Sequence, residues 1–112
     1  MAVSRSKYHS KKTTINGITY DSKKEARRHG ELLLLERAGK ISDLETQVKF
    51  ELLPSQRIDG KVVERPVSYV ADFVYKQDGK MIVEDTKGFR TADYILKRKM
   101  LLFFHGIRIK EV

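Results

Sequence analysis

Asp72, Asp85 and Lys87 carry the strongest chemical signal in this sequence. Asp72 stands within Tyr69-Val70-Ala71-Asp72-Phe73-Val74-Tyr75, a run that is apolar on both parities, as in a strand buried on both faces. A carboxylate in that setting is costly unless a cation or a metal pairs with it. Asp85 follows Met81-Ile82-Val83. Strand alternation puts Val83, Asp85 and Lys87 on one face and Glu84 on the other. A tight hairpin brings the two acids near one another at its open end, where both resist ionisation unless a divalent cation lies between them. Oxygen-only ligation suits magnesium or manganese. Such a metal activates water and polarises a phosphodiester, and a neighbouring ammonium steers the water or stabilises charge on the phosphate. The chemistry implied is phosphodiester hydrolysis. The competing explanation is purely structural: an Asp85–Lys87 ladder salt bridge, with Asp72 bonded to a backbone turn.

These residues need a scaffold, and the pattern along the chain supplies one. Thr13-Thr14-Ile15 and Ile18-Thr19-Tyr20 flank Asn16-Gly17, the pair best suited to a type I′ turn, so a short hairpin is expected. A helix follows, with Ser22 and Glu25 at capping-box spacing, Ala26 and the Leu32–Leu35 run as its apolar face, and Gly39 at C′. Glu25 is thus either a cap or an outer acid of the metal site, and the two roles are compatible. Val48, Phe50 and Leu52 alternate with polar neighbours in a strand ended by Pro54. Residues 55–65, with Asp59-Gly60, read as a loop or a poorly formed edge ribbon. The strand from Val67 to Tyr75 turns through Lys76-Gln77-Asp78-Gly79 into a return strand from Lys80 to Lys87, stopped by Gly88. Thr91 caps a second helix that runs to about Phe104, on which Tyr94 and Leu101, like Ile95 and Leu102, share an apolar flank. Ile107 and Ile109 alternate with Arg108 and Lys110 in a last strand. Hairpin, helix, three strands, helix and strand describe an α/β sandwich with its sheet covered by helices.

Composition narrows the function classes. A chain of 112 residues fits one domain, residues 13–112, preceded by a flexible basic arm over residues 1–12. The longest purely hydrophobic run is Met100 to Phe104, which excludes a membrane-spanning helix. The basic, polar start does not resemble a secretory signal, and with no cysteine there is neither a disulfide nor a Cys-based zinc site. A soluble, cytoplasmic protein is the economical expectation. The formal net charge of +8 attracts polyanions. Residues 1–40 hold ten basic and four acidic side chains, whereas residues 41–112 hold thirteen and eleven. Lys7, Lys11 and Lys12 in the arm either grip a nucleic-acid backbone or merely solubilise the chain. Lys97, Arg98 and Lys99 on the second helix either track DNA or form a solvated face. His9, His29 and His105 show no ligand spacing, and His29 reads as a half-exposed helix residue four positions after Glu25. Tyr69 and Tyr75 read as strand-packing residues.

The pattern Ser22-Lys23-Lys24-Glu25-Ala26, Gln47, Ala71-Asp72-Phe73 and Glu84-Asp85-Thr86-Lys87-Gly88 resembles the PD-(D/E)XK nuclease superfamily. More narrowly, it is similar to a family of small phage and prophage endonuclease-like proteins. In layout it is similar to RecU-type and archaeal Holliday-junction resolvases and to TnsA-like nucleases. The resemblance spans roughly residues 7–112. It implies a restriction-endonuclease-like core, a mixed sheet of a three-stranded meander plus a last strand, covered by two helices. It further implies that Asp72 and Asp85 are metal ligands, that Thr86 lends its backbone carbonyl, that Glu25 belongs to the site, and that Lys87 orients or activates the attacking water. Gln47 matches a glutamine found near the site in several of these families; otherwise it is an ordinary polar strand-edge residue. The superfamily's proline before the first acid is Ala71 here, and the second acid is Asp rather than the commoner Glu. The expected protein is a Mg²⁺- or Mn²⁺-dependent deoxyribonuclease leaving 5′-phosphate and 3′-hydroxyl ends. Branched DNA such as a Holliday junction is the first expectation for its substrate, which would make it a homodimer. The alternatives are a non-catalytic DNA-binding accessory protein and a nicking or end-degrading nuclease without junction preference.

Overall fold

In the computed structural model, residues 12–15 and 18–112 are described. Strands β1 (Thr13–Ile15) and β2 (Ile18–Tyr20) pair antiparallel, as their β-branched residues favour. The expected Asn16-Gly17 turn and the arm residues Lys7 and Lys11 lie outside the described residues. Helix α1 (Lys23–Arg37) starts where the Ser22 side chain accepts the Glu25 amide proton, and Gly39, at φ 76°, follows its C-cap Ala38. Only a glycine adopts that left-handed conformation without a Cβ penalty.

Strand β3 (Ser42–Leu53) begins well before the hydrophobic alternation at Val48 that announces it in the sequence. Residues 55–65, expected as a loop or a poorly formed edge ribbon, instead build a separate two-stranded sheet, β4 (Gln56–Ile58) and β5 (Lys61–Glu64), joined by Asp59-Gly60 with both φ angles positive. Strand β6 (Val67–Gln77) turns through Asp78-Gly79, at φ 53° and 76°, into β7 (Lys80–Asp85). Helix α2 (Ala92–His105) is capped by Thr91 and ended by left-handed Gly106. Strand β8 is shorter than expected: only Lys110–Glu111 pair with β7, while Ile107 and Ile109 pack into the core without joining the ladder.

The main sheet has the order β3-β6-β7-β8, antiparallel except for the β7–β8 pair, which is parallel. A helix covers each face. Leu32 of α1 packs with Ile41, Phe73 and Tyr75, while Tyr94 and Leu101 of α2 pack with Leu52, Tyr69, Ala71, Val74 and Val83. Two expectations about the helix faces need correction. Leu33 and Leu34 are exposed beside buried Leu32, and Leu102 is exposed rather than sharing the flank of Ile95, since one face of a helix spans only part of a leucine run. Among the described residues, no helix is long and apolar enough to cross a membrane.

The two cores reveal a reversal within the sheet. Tyr69 and Ala71 face α2, yet Phe73 and Tyr75, of the same parity, face α1. In β3, Val48 and Phe50 pack toward α2 while Leu44 packs toward α1. Both strands therefore switch faces at one level, the gap in the ladder between Thr46↔Phe73 and Val48↔Ala71. Gln47 and Asp72 occupy that gap, and Gln47 has the left-handed φ of 52° that makes the switch.

Candidate active site

The strand kink places Asp72 beside the end of β7. Its Oδ2 accepts hydrogen bonds from the Thr86 amide at 3.0 Å and the Thr86 hydroxyl at 2.8 Å, and its Oδ1 lies 3.5 Å from Gln47 Nε2. Gln47 Nε2 also donates to Glu25 Oε2 at 3.0 Å. The other oxygen of Glu25 accepts from the Asp21 amide at 3.2 Å, one residue before the Ser22 position that an ideal capping box would use. Glu25 is thus both a cap and a neighbour of Asp72, and the first turn of α1 is tied to the kink through Gln47.

Asp85, the last residue of β7, is buried on the α2 side. Its Oδ2 accepts the Tyr69 hydroxyl at 2.6 Å and lies 3.0 Å from Lys87 Nζ. That ammonium also stands 4.1 Å above the Tyr94 ring, a cation–π contact. Tyr94 in turn donates to Glu111 Oε2 at 2.6 Å, and Arg90 and Arg98 pair with the same carboxylate. Hydrogen bonds from Arg90 and Tyr94 hold the Glu111 carboxyl down at about 2. The backbone at Lys87 is fixed from two sides: its amide donates to the Val112 carbonyl, and its carbonyl accepts Lys24 Nζ at 3.1 Å.

Both contacts of the purely structural explanation are present, the Asp85–Lys87 pair and the bond from Asp72 to a turn amide. They do not satisfy the site electrostatically. A carboxylate serving mainly as half of an ion pair titrates below its ordinary range. Asp85 is instead pushed up to about 7, by burial and then by the neighbouring Asp72, against the lowering effect of Tyr69 and Lys87. Glu25 rises to about 7 as well, by burial first and then by the charge of Asp72. Asp72 thus stands between two carboxyls, Glu25 and Asp85, and opposes the ionisation of each. Among the described residues, no three His, Cys, Asp or Glu side chains form a complete metal-binding group. The side chains nearest Asp72 are oxygen donors, and an all-oxygen set of this kind is of the type that hard divalent cations take.

The face opposite Asp85 carries a different pair. Glu84 is fully buried, with Arg28 Nε 2.6 Å from Oε1 and the Tyr75 hydroxyl 2.6 Å from Oε2. The parity expectation for Glu84 therefore holds, and its role is to lock α1 to β7. His29 is buried, not half-exposed: Tyr20 Oη lies 2.6 Å from its Nδ1, and burial lowers its pKa. Lys12 pairs with Asp21 at 3.5 Å on the surface, Lys97 pairs with Asp93, and Lys99 is exposed. The residues that sequence reasoning missed are Tyr94, Arg28 and Lys24. Tyr94 was recognisable as an apolar-flank residue, but its hydroxyl and ring face become relevant only once α2 lies over the end of β7.

Gln47 supplies a direct test of the kink. A non-glycine residue at positive φ is strained, so Gln47→Gly raises unfolding stability by roughly 1 kcal/mol while removing the Glu25–Gln47 contact. Urea unfolding measures the gain; a loss of stability would show that the side-chain contact outweighs the strain.

No curated protein and no solved structure matches the chain. A family model described as "Protein of unknown function (DUF1064)" matches residues 5–110, so the chain belongs to that family.

Proposed function

We propose that this protein is a metal-dependent endonuclease that hydrolyses DNA phosphodiester bonds, built on a restriction-endonuclease-like core of the PD-(D/E)XK type. The observation that carries the reading is the placement of Asp72, Asp85 and Lys87 around one strand end, with Asp72 held by the Thr86 amide and hydroxyl and Lys87 Nζ 3.0 Å from Asp85. Two carboxylates and an ammonium gathered there suit a cation site with a phosphate-facing lysine.

Asp72, Asp85 and the Thr86 carbonyl would hold Mg²⁺ or Mn²⁺, with Glu25 reaching it through water. A cation bound there supplies charge for polarising the scissile phosphate and lowering the pKa of the attacking water. Lys87 presents its ammonium to that water or to a phosphate oxygen, held in place by Asp85 and the Tyr94 ring. Thr86 fixes the Asp72 carboxylate through two hydrogen bonds, and Gln47 links it to Glu25. Tyr69 fixes Asp85. The net charge of +8 favours a polyanionic substrate, and branched DNA is the preferred one.

The test uses labelled four-way junction, linear duplex and single-stranded DNA, with and without Mg²⁺ or Mn²⁺, beside Asp72→Asn. Cleavage that requires the metal and is lost in Asp72→Asn is the expected result. Unchanged cleavage in the variant would overturn the site. Tight, metal-independent binding without cleavage would instead identify a DNA-binding accessory protein. Equal cutting of all three substrates would remove the junction preference and leave the nuclease.

A further inference from the structure

A cavity of about 240 Å³ opens between β2, α1 and the kink of β3, adjoining the carboxylate site. Glu25 and Gln47 belong to both. Tyr20, His29 and the half-exposed Ile18 line it above the buried Phe73, and Asp21 belongs to its lining as well. The hydrogen bond between Tyr20 and His29, at 2.6 Å, ties β2 to α1 and preforms the space.

Three properties define what fits. First, the volume lies below the range that holds drug-sized ligands, so the occupant is one small ring system. Second, two carboxylates, Asp21 and Glu25, line the cavity, while no lysine or arginine does among the described residues. Asp21 is paired with Lys12, but Glu25 disfavours a phosphate in the cavity, whereas a neutral group rich in N–H donors is accepted. Third, the cavity shares Gln47 with Asp72, so an occupant lies within a nucleotide's reach of a phosphate held at Asp72 and Asp85. A slot lined by aromatic and polar residues alike, with a carboxylate in its wall and next to the proposed phosphate site, matches a nucleobase with exocyclic amino and ring N–H donors.

We propose that this cavity receives one unstacked nucleobase beside the scissile phosphate. The proposal rests on the nuclease reading and gives its substrate class: DNA with an unpaired nucleotide at the cut, as at a branch point, a flap or a single-strand–duplex boundary. A base stacked in continuous duplex stays out of the cavity, and such DNA is cut without its help, whereas an unpaired base enters without the cost of unstacking. The carboxylate site then acts on any strand, and the cavity selects where that strand is distorted.

The experiment compares the full chain on a fully paired duplex and on the same duplex with one unpaired nucleotide at the cut position, with Mg²⁺ or Mn²⁺. The unpaired substrate is cut at least roughly tenfold faster. Ile18→Trp occupies the cavity from its exposed wall, and Asp72, Asp85 and Lys87 are not part of that lining; it removes that advantage and leaves cutting of the paired duplex unchanged. Equal rates on the two substrates, or an equal loss on both in Ile18→Trp, overturn the proposal. A second readout needs no cleavage and no variant: 5-iodouracil at the unpaired position, irradiated in the wild-type complex, cross-links to Tyr20 or His29 in the peptide map. If the wild type cuts neither DNA, the nuclease reading falls, and the cross-link alone decides the cavity. A cross-link elsewhere, or none, overturns it.

Discussion

Asp85→Asn melts higher than the wild type at pH 8 and, on the proposed nuclease reading, loses on the order of 10³-fold in metal-dependent cleavage. That loss would come from removing a proposed ligand whose cation would contribute several kcal/mol to transition-state stabilisation, each 1.36 kcal/mol being tenfold. The gain follows from linkage. Burial and Asp72 raise the Asp85 carboxyl to about 7 in the folded protein, above its unfolded value near 4. Between those values the folded state binds more protons than the unfolded one, so stability is full below about pH 4 and falls as pH rises toward 7. Asparagine has no such proton to lose, and it can still accept the Tyr69 hydroxyl. At pH 8 the variant gains on the order of 2 kcal/mol, roughly 10 °C in melting temperature, and the difference closes toward pH 4. Mg²⁺ raises the melting point of the wild type above pH 7 and leaves that of the variant unchanged. Thermal melts across pH, with and without Mg²⁺, check this. A variant that melts lower than the wild type at pH 8, or a magnesium shift equal in both, would show that Asp85 is a structural partner of Lys87.

Arg28→Ala destabilises the fold by about 3–5 kcal/mol, because it leaves the Glu84 carboxylate buried and unpaired. Arg28 meets both oxygens of Glu84, at 2.6 and 2.9 Å, and those hydrogen bonds are the main reason its guanidinium is held above its ordinary range. The Tyr75 hydroxyl, pushed up to about 12 by burial and then by Glu84, donates the third bond. The cost is that of an orphaned charge and not the net worth of the pair. Arg28→Met combined with Glu84→Leu therefore recovers most of the loss, as an apolar replacement of a buried ion pair does elsewhere. Urea unfolding of the single and double variants separates the two accounts. A double variant as unstable as Arg28→Ala would mean that the pair itself stabilises the sheet.

The elements readable in the sequence were those with a local cause. Ser22 and Thr91 cap helices, Asp59-Gly60 and Asp78-Gly79 close hairpins, and Gly39 sits at a helix end, because each depends on a few adjacent residues. The first half of β3 was not legible. Ser42-Asp43-Leu44-Glu45-Thr46 is mostly polar and has no alternation of its own, and only its pairing with β6 makes it a strand. At the site, alternation separated Asp85 from Glu84 correctly. It gave no account of how Asp72, on a strand whose odd residues are apolar, reaches the end of β7. That depends on the face switch at Gln47, which no period-2 pattern encodes. Tyr94 and Arg28 act from helices across long sequence separations, so their partners become visible only in the fold.

The face switch also fixes how β3 and β6 can slide. Strands with uniform alternation can shift by two residues and keep every apolar side chain inward. Here the alternation reverses at one level in both strands, so a two-residue shift would misalign the reversal points and turn apolar residues of one strand toward the wrong helix. Gln47 and Asp72 thus act as an index mark for the pairing. The residues proposed for chemistry also enforce the one registration in which they face each other, so that misregistered chains forfeit the core as well as the site.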